Sequence, residues 1–325
     1  MTASPSPHIT AAVERIAAGE PSPLRRAEAL VEVAVDLQRQ PRDPQQLVDA
    51  IFLYDQAARM AADAPLAYAR ATAGKGSALR RMPGAGLDVI VAARDAFEEA
   101  LPLLRARGEP EEVAEVEMSY GLVLQTLAGA HKAPLPHAIQ AYQRALRFFN
   151  ATQHPREYAI LHNNLATAYL SMRMDPQRGP LREALAVQSF QEALRCVTLE
   201  SDPVEYAMLQ NNLGNALQAT RTTRPFEHLT RAVEAYDEAL KVRTAYDTPV
   251  EFANTIANKA NALMNLPDDP DEPGQGNPDN LNQAVGLLAQ ARDVFARHQL
   301  ADRAQVVEQL RAQLAAELEV AGALR

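Results

Sequence analysis

Two pairs of adjacent asparagines stand out in this chain: Asn163 and Asn164 in HPREYAILHNNLATAYL, and Asn211 and Asn212 in SDPVEYAMLQNNLGNALQ. A primary amide carries two N–H donors and a carbonyl acceptor. A row of amides can therefore hold both the N–H and the C=O groups of an extended backbone, with little regard to its side chains. Asn215, Asn254, Asn258 and Asn261 extend the set. A second group, Arg70, Arg80 and Arg81, offers guanidinium forks that could take a partner's carboxylate. Arg80 and Arg81 also fall near a helix C-terminus, where cations are favoured without any ligand.

Catalytic patterns are thin. AGKGS, from Ala73 to Ser77, echoes a phosphate loop, but Ala69 stands where its first glycine belongs and the segment reads as helix interior. The seven histidines show no HExxH or paired metal spacing, and there is no GxSxG elbow. A single cysteine, Cys196, excludes an intramolecular disulfide and any CxxC site, and reads as an inert, half-buried thiol. The acidic stretch PDDPDEPGQGNPDN lacks calcium-loop spacing and reads as a mobile, solvated loop. The expectation is a protein that is not an enzyme and uses no cofactor and no metal.

The elements that must carry these residues follow from an internal repeat. A small residue, an aromatic four later and an alanine three after that recur as Ala50/Tyr54/Ala57, Ala93/Phe97/Ala100, Ala138/Tyr142/Ala145, Ala186/Phe190/Ala193 and Ala232/Tyr236/Ala239. Ala284/Leu288/Ala291 completes the series, and successive starts lie 43, 45, 48, 46 and 52 residues apart. After each of the first five, a proline opens another helix: Pro65, Pro110, Pro155, Pro203 and Pro249. In those helices Gly76, Gly121, Ala166, Gly214 and Ala260 share one position, where a small side chain lets a neighbouring helix approach. Asp202 suits the N-cap before Pro203, with Glu205 at the positive end of the dipole.

NNLGNAL followed by AVEAYDEAL resembles the tetratricopeptide repeat, whose first helix carries Leu-Gly and whose second carries Ala-x3-Phe. The resemblance covers roughly residues 24 to 297, in a long-period form of about 45–48 residues that lacks the tryptophan of the common repeat. It implies an all-α fold: a right-handed α-solenoid of about six helix pairs. The expected organisation is a segment 1–23, a short helix or partly disordered, then an array over 24–297 and a capping helix over 298–325. In the resembled family, the side of each first helix opposite its apolar face lines a concave groove, where kinesin light chains among others use asparagines on partner peptides.

Helical projection supports that placement. Tyr206, Leu209, Leu213, Ala216 and Leu217 share an apolar face, while Met208, Asn211, Asn212, Asn215 and Ala219 lie opposite. The neighbouring helices present Ile160, Asn163, Asn164, Thr167 and Ser171, and then Asn254, Asn258, Asn261 and Asn265. Asn164, Asn212 and Asn258 occupy one register. For ligand contact Asn212 is the better candidate, and Asn211, replaced in the next repeat by Ala257, reads as the more dispensable of its pair. The same amides could instead bond between adjacent helices and fix the repeat spacing.

Composition narrows the partner. Hydrophobic residues make up 47% with 5% aromatics and no tryptophan, which suits close helix packing. A formal charge of −9 argues against general binding of nucleic acid or anionic membranes. The start lacks a basic n-region and an apolar h-region, so the expected setting is cytoplasmic, and the arginine-rich basic set suggests a bacterial source. Charges sort by edge, with Arg173, Arg178, Arg182, Arg221 and Arg224 in the connections within pairs and acids opening helices, as dipoles favour. The leading expectation is an interaction module, a scaffold or assembly chaperone, that binds another protein or an extended peptide. The alternatives are a peptide or small-molecule sensor acting on a separate output protein, and a self-associating homo-oligomer.

Overall fold

The computed structural model describes residues 4–172, 179–220 and 224–323, so the expectations for Arg173, Arg178 and Arg221 lie outside the described residues. Its regular structure there is helical, with no strand. The contacts divide the chain into two compact units, residues 1–153 and 154–325.

The first unit holds α1 (Pro7–Gly19), α2 (Pro23–Arg39), α3 (Pro44–Met60), α4 (Pro65–Arg80), α5 (Leu87–Arg107), α6 (Pro110–Gly129) and α7 (Leu135–Ala145). The second holds α8 (Pro155–Ser171), α9 (Gly179–Leu194), α10 (Pro203–Ala219), α11 (Pro225–Leu240), α12 (Pro249–Leu263), α13 (Pro278–Arg297) and α14 (Ala301–Ala323). Most begin with proline, whose missing N–H is one that the first turn could not satisfy anyway and whose φ is preset. The Asp202 carboxylate accepts from Glu205 N at 3.1 Å, as a cap should.

Within each unit, consecutive helices pack as hairpins: α2 on α3, α4 on α5 and α6 on α7, then α8 on α9, α10 on α11 and α12 on α13. This succession of helix pairs is the α-solenoid repeat that the sequence pattern implies. The recurrent Ala-x3-aromatic-x2-Ala residues are what the hairpins bury. All six sets, from Ala50/Tyr54/Ala57 to Ala284/Leu288/Ala291, are no more than 2% exposed. Against Phe97, Tyr142 and Tyr236 lie Gly76, Gly121 and Gly214 of the preceding helix. At Gly214 a Cβ would sit 2.6 Å from Tyr236 Cε1 and 2.7 Å from Cζ, well inside contact distance.

Two features were not read from the sequence. The buried tyrosines have partners for their hydroxyls: Tyr54 donates to Gln38 Oε1 at 2.9 Å and Tyr142 to Gln125 Oε1 at 2.7 Å. Tyr236 donates to Asn215 Oδ1 at 2.7 Å and accepts from Gln218. Gln38, Gln125 and Gln218 each stand 15 residues after their helix-opening proline, Pro23, Pro110 and Pro203, so the signal was present. Burial pushes the Tyr54 phenol up to about 12. Between successive pairs, Lys75 Nζ reaches Asp55 at 2.7 Å and Lys259 Nζ reaches Asp237 at 2.5 Å, from equivalent positions.

The ends of the chain are packed as well. Ile9 of α1 is buried with Ala27 and Leu30, and Asp49 accepts from Ser6 N and Oγ at 2.8 and 2.7 Å. Helix α14 covers the last pair with Val307 and Leu314. Arg311 and Arg292 hold the Glu308 carboxyl down at about 2. The acidic stretch is exposed but not free of structure: Asp268 accepts from the backbone N–H groups of Asp279 and Asn280 at 2.9 and 2.8 Å and so caps α13.

Candidate partner-binding surface

The amides selected from sequence all lie in the second unit, on α8, α10 and α12, and the hairpin packing sets their environments. Because each apolar face is spent on the following helix, the amides fall on the remaining side, at or near the seams between first helices. Asn212, Asn254 and Asn258 are half-buried, and Asn215 and Asn261 are exposed.

Asn211 is committed within the fold. It is 8% exposed, and its Oδ1 accepts from Thr255 Oγ1 at 3.2 Å and Asn258 Nδ2 at 3.4 Å, both on α12. Thr255 Oγ1 in turn accepts from Arg243 at 2.9 Å. Asn211 is thus the pin of a polar seam between α10 and α12. The physical reason is that α12 presents the Thr255 hydroxyl and the Asn258 amide to this position. Asn258 is partly committed to the same seam. Asn212 accepts only the long 3.4 Å bond from Asn211. Gln218 joins the two helices further along, donating to Asn258 O at 2.9 Å and accepting from Asn261 at 3.2 Å.

On α8 the corresponding amides are unspent. Asn163 Oδ1 and Asn164 Nδ2 are both shielded from solvent and lack hydrogen-bond partners. The position on α10 that matches Thr255 is Leu209, which has no hydroxyl to offer Asn163. An unmade bond at a buried polar atom costs about 1–3 kcal/mol, so this pair is a standing deficit in the fold. At the other end, Asn254 and Asn258 line an open cavity of about 300 Å³ with Phe295, Arg303 and Val306. There Arg303 donates to Asn254 Oδ1 at 3.3 Å and lies 6.0 Å from the Phe295 ring centroid.

The arginines of the first unit behave differently. Arg70 makes a forked pair with Glu112 at 2.8 and 3.1 Å, so the carboxylate it was expected to take from a partner is supplied by its own chain. Arg81 donates to Gln38 O at 2.6 Å. Arg80 is half-buried, its Nε has no partner, and burial lowers its pKa. The three do not form one anion site.

Burial shifts the titration of both Cys196 and His162. Burial pushes the Cys196 thiol up, away from thiolate. His162 stacks 4.3 Å from Tyr158 and burial lowers its pKa, while Tyr158 donates to Glu192 at 2.7 Å. Among the described residues, no group of three or more His, Cys, Asp or Glu is placed to hold a metal, and no helix is long and apolar enough to cross a membrane.

No family model and no curated protein matches this chain in sequence. Its backbone resembles solved structures. One is a signal transduction ATPase with numerous domains that carries a tetratricopeptide repeat sensor, from Pyrococcus horikoshii, at 15% identity and a TM-score of 0.57. The match covers 92% of this chain and 42% of that one, so this chain spans less than half of that protein's length. At this identity the likeness establishes the fold alone, a tetratricopeptide-like helical repeat. Two weaker likenesses are BtubC from P. vanneervenii (17% identity, TM-score 0.37, 70% and 92% covered) and a Rap protein in complex with competence and sporulation factor (12%, 0.34, 97% and 99%).

Proposed function

We propose that this chain is a non-catalytic interaction module, a scaffold or assembly chaperone, whose α8–α10–α12 amide face takes an extended segment of another protein. The observation that carries the proposal is the pair of shielded, unpartnered amide atoms on Asn163 and Asn164. They stand in register with Asn212, which is lightly committed. A backbone strand laid across them would supply an N–H to Asn163 Oδ1 and a C=O to Asn164 Nδ2, recovering the cost of leaving both unmade. Asn211 and Asn258 hold the platform beneath. The test is affinity purification with the wild-type chain and an Asn163→Ala/Asn164→Ala/Asn212→Ala variant, with the co-purified proteins identified by mass. A partner captured by the wild type should be lost by the variant and kept by Asn265→Ala, whose amide bonds only its own helix. Equal capture by the triple variant refutes the amide face.

The second reading is a sensor that binds a short peptide and signals through a separate output protein. Its motive is the sensor role given to the repeats of the Pyrococcus horikoshii protein. Titration calorimetry with isolated peptides separates the two, since a sensor binds short free ligands and a scaffold requires its folded partner.

A further inference from the structure

We propose that a cavity of about 470 Å³ where α5, α6 and α7 end and begin is a binding site for a phosphomonoester, held by Arg105, Arg144 and Arg147. It lies wholly in the first unit and does not depend on the amide face.

The argument starts from a break in the repeat. In three pairs, a tyrosine three residues after the opening proline donates to a glutamate six residues after the first alanine of the next helix: Tyr68 to Glu99, Tyr158 to Glu192 and Tyr206 to Glu238. In the α6–α7 pair both positions change together, to Val113 and Arg144. The tyrosine ring and its hydroxyl are absent here, and an acid has become a base. Arg144 turns inward, and its Nε donates to Glu117 Oε1 at 2.7 Å. Arg105 Nε donates to the same oxygen at 2.8 Å.

Glu117 is 1% exposed, and its other oxygen has no partner. A buried carboxylate placed this way is a poor stabilising device, because desolvation offsets most of the attraction and an apolar pair would serve as well. What it does achieve is to fix two guanidiniums. Arg144 uses only its Nε, so its terminal N–H groups remain available. Arg147 on the rim is exposed and enters none of the ion pairs among the described residues. One carboxylate against three guanidiniums leaves two positive charges in the cavity of a chain whose formal charge is −9. A phosphomonoester carries about −1.5 to −2 at neutral pH, which matches that excess, and its oxygens suit guanidinium forks. Val113 and Phe148 offer an apolar wall to the group that carries the phosphate.

The test is titration calorimetry of the full chain in about 50 mM salt, where surface charge is weakly screened. The probes are phenyl phosphate, benzoate and a short phosphotyrosine peptide. The expected result is saturable binding of phenyl phosphate to the wild type, weakened about tenfold or more in Arg144→Ala and in Arg147→Ala, since a bond between charged groups contributes that much. Arg147 makes no ion pair among the described residues, so Arg147→Ala should keep the wild-type circular dichroism even if Arg144→Ala does not fold. Tighter binding of the peptide assigns the phosphate to a modified protein, and equal binding assigns it to a free small molecule; either supports the site. No saturable binding of phenyl phosphate, unchanged affinity in Arg147→Ala, or benzoate binding as tightly as phenyl phosphate overturns it.

Discussion

Gly214 sits in the turn of α10 that also carries Asn211, Asn212 and Asn215, and its substitution by alanine tests how the hairpin positions them. Two effects oppose. Alanine is the better helix former by about 1 kcal/mol. Against that, the new Cβ would lie 2.6, 2.7 and 3.0 Å from three ring atoms of Tyr236, each well short of ordinary contact. The ring cannot easily retreat: it is 0% exposed, packed between Ala232 and Ala239, and tied through its hydroxyl to Asn215 and Gln218. Overpacking of a fixed core costs about 1–3 kcal/mol, and this geometry belongs at the upper end. The net expectation is a loss of about 2 kcal/mol, or about 4–8 °C in Tm for a unit of this size. Thermal and urea unfolding by circular dichroism would read it, with Gly129→Ala as control, because nothing lies within 4 Å of a Cβ there. The double variant Gly214→Ala/Tyr236→Leu copies the Ala260/Leu288 pair of the last hairpin and should show favourable coupling relative to the single variants. A Gly214→Ala protein as stable as the wild type, or a double variant with no coupling, refutes the account.

Two further outcomes are expected. Thr255→Val removes both the acceptor for Arg243 and a donor to the buried Asn211, so it should cost about 1–3 kcal/mol in urea unfolding, as should Asn211→Ala, whereas Asn212→Ala should cost under about 1 kcal/mol. His162 has its pKa lowered by burial, with Glu192 opposing the shift. The unfolded chain, with histidine near 6.5, therefore takes up the proton first as pH falls. The stability from a neutral His162 is complete above that value and is lost as pH drops through the folded pKa. His162→Gln, which copies Gln210 at the matching position of α10, should flatten the urea midpoint between about pH 7 and 5.5, and an unchanged slope would count against the assignment.

Most of the fold was legible in the sequence because it depends on local periodicity. The Ala-x3-aromatic-x2-Ala sets and the opening prolines act within one helix or one hairpin, and the residues they pick out are the buried ones. The candidate site was only partly legible. Projection on a single helix separates an apolar face from its opposite, so it located Asn164, Asn212 and Asn258 together. It cannot tell which of two adjacent amides turns towards the next hairpin, and so it did not anticipate the bonds of Asn211 to Thr255 and Asn258. Nor could it see that Arg70 already has a carboxylate in Glu112, 42 residues away.

By itself, then, the sequence determined the helices, their pairing and the residues each pair buries, because those are set by short-range spacing and by the apolar area each helix must remove from water. The tertiary structure decided which polar groups are spent and which are left over. Asn211 was spent because α12 happens to present Thr255 and Asn258 to it. Asn163 was not, because α10 presents Leu209, and Arg144 reached Glu117 because Val113 leaves room where other hairpins hold a tyrosine. Hydrogen bonding is a property of pairs that meet, and which residues meet across successive hairpins is fixed only when the helices pack.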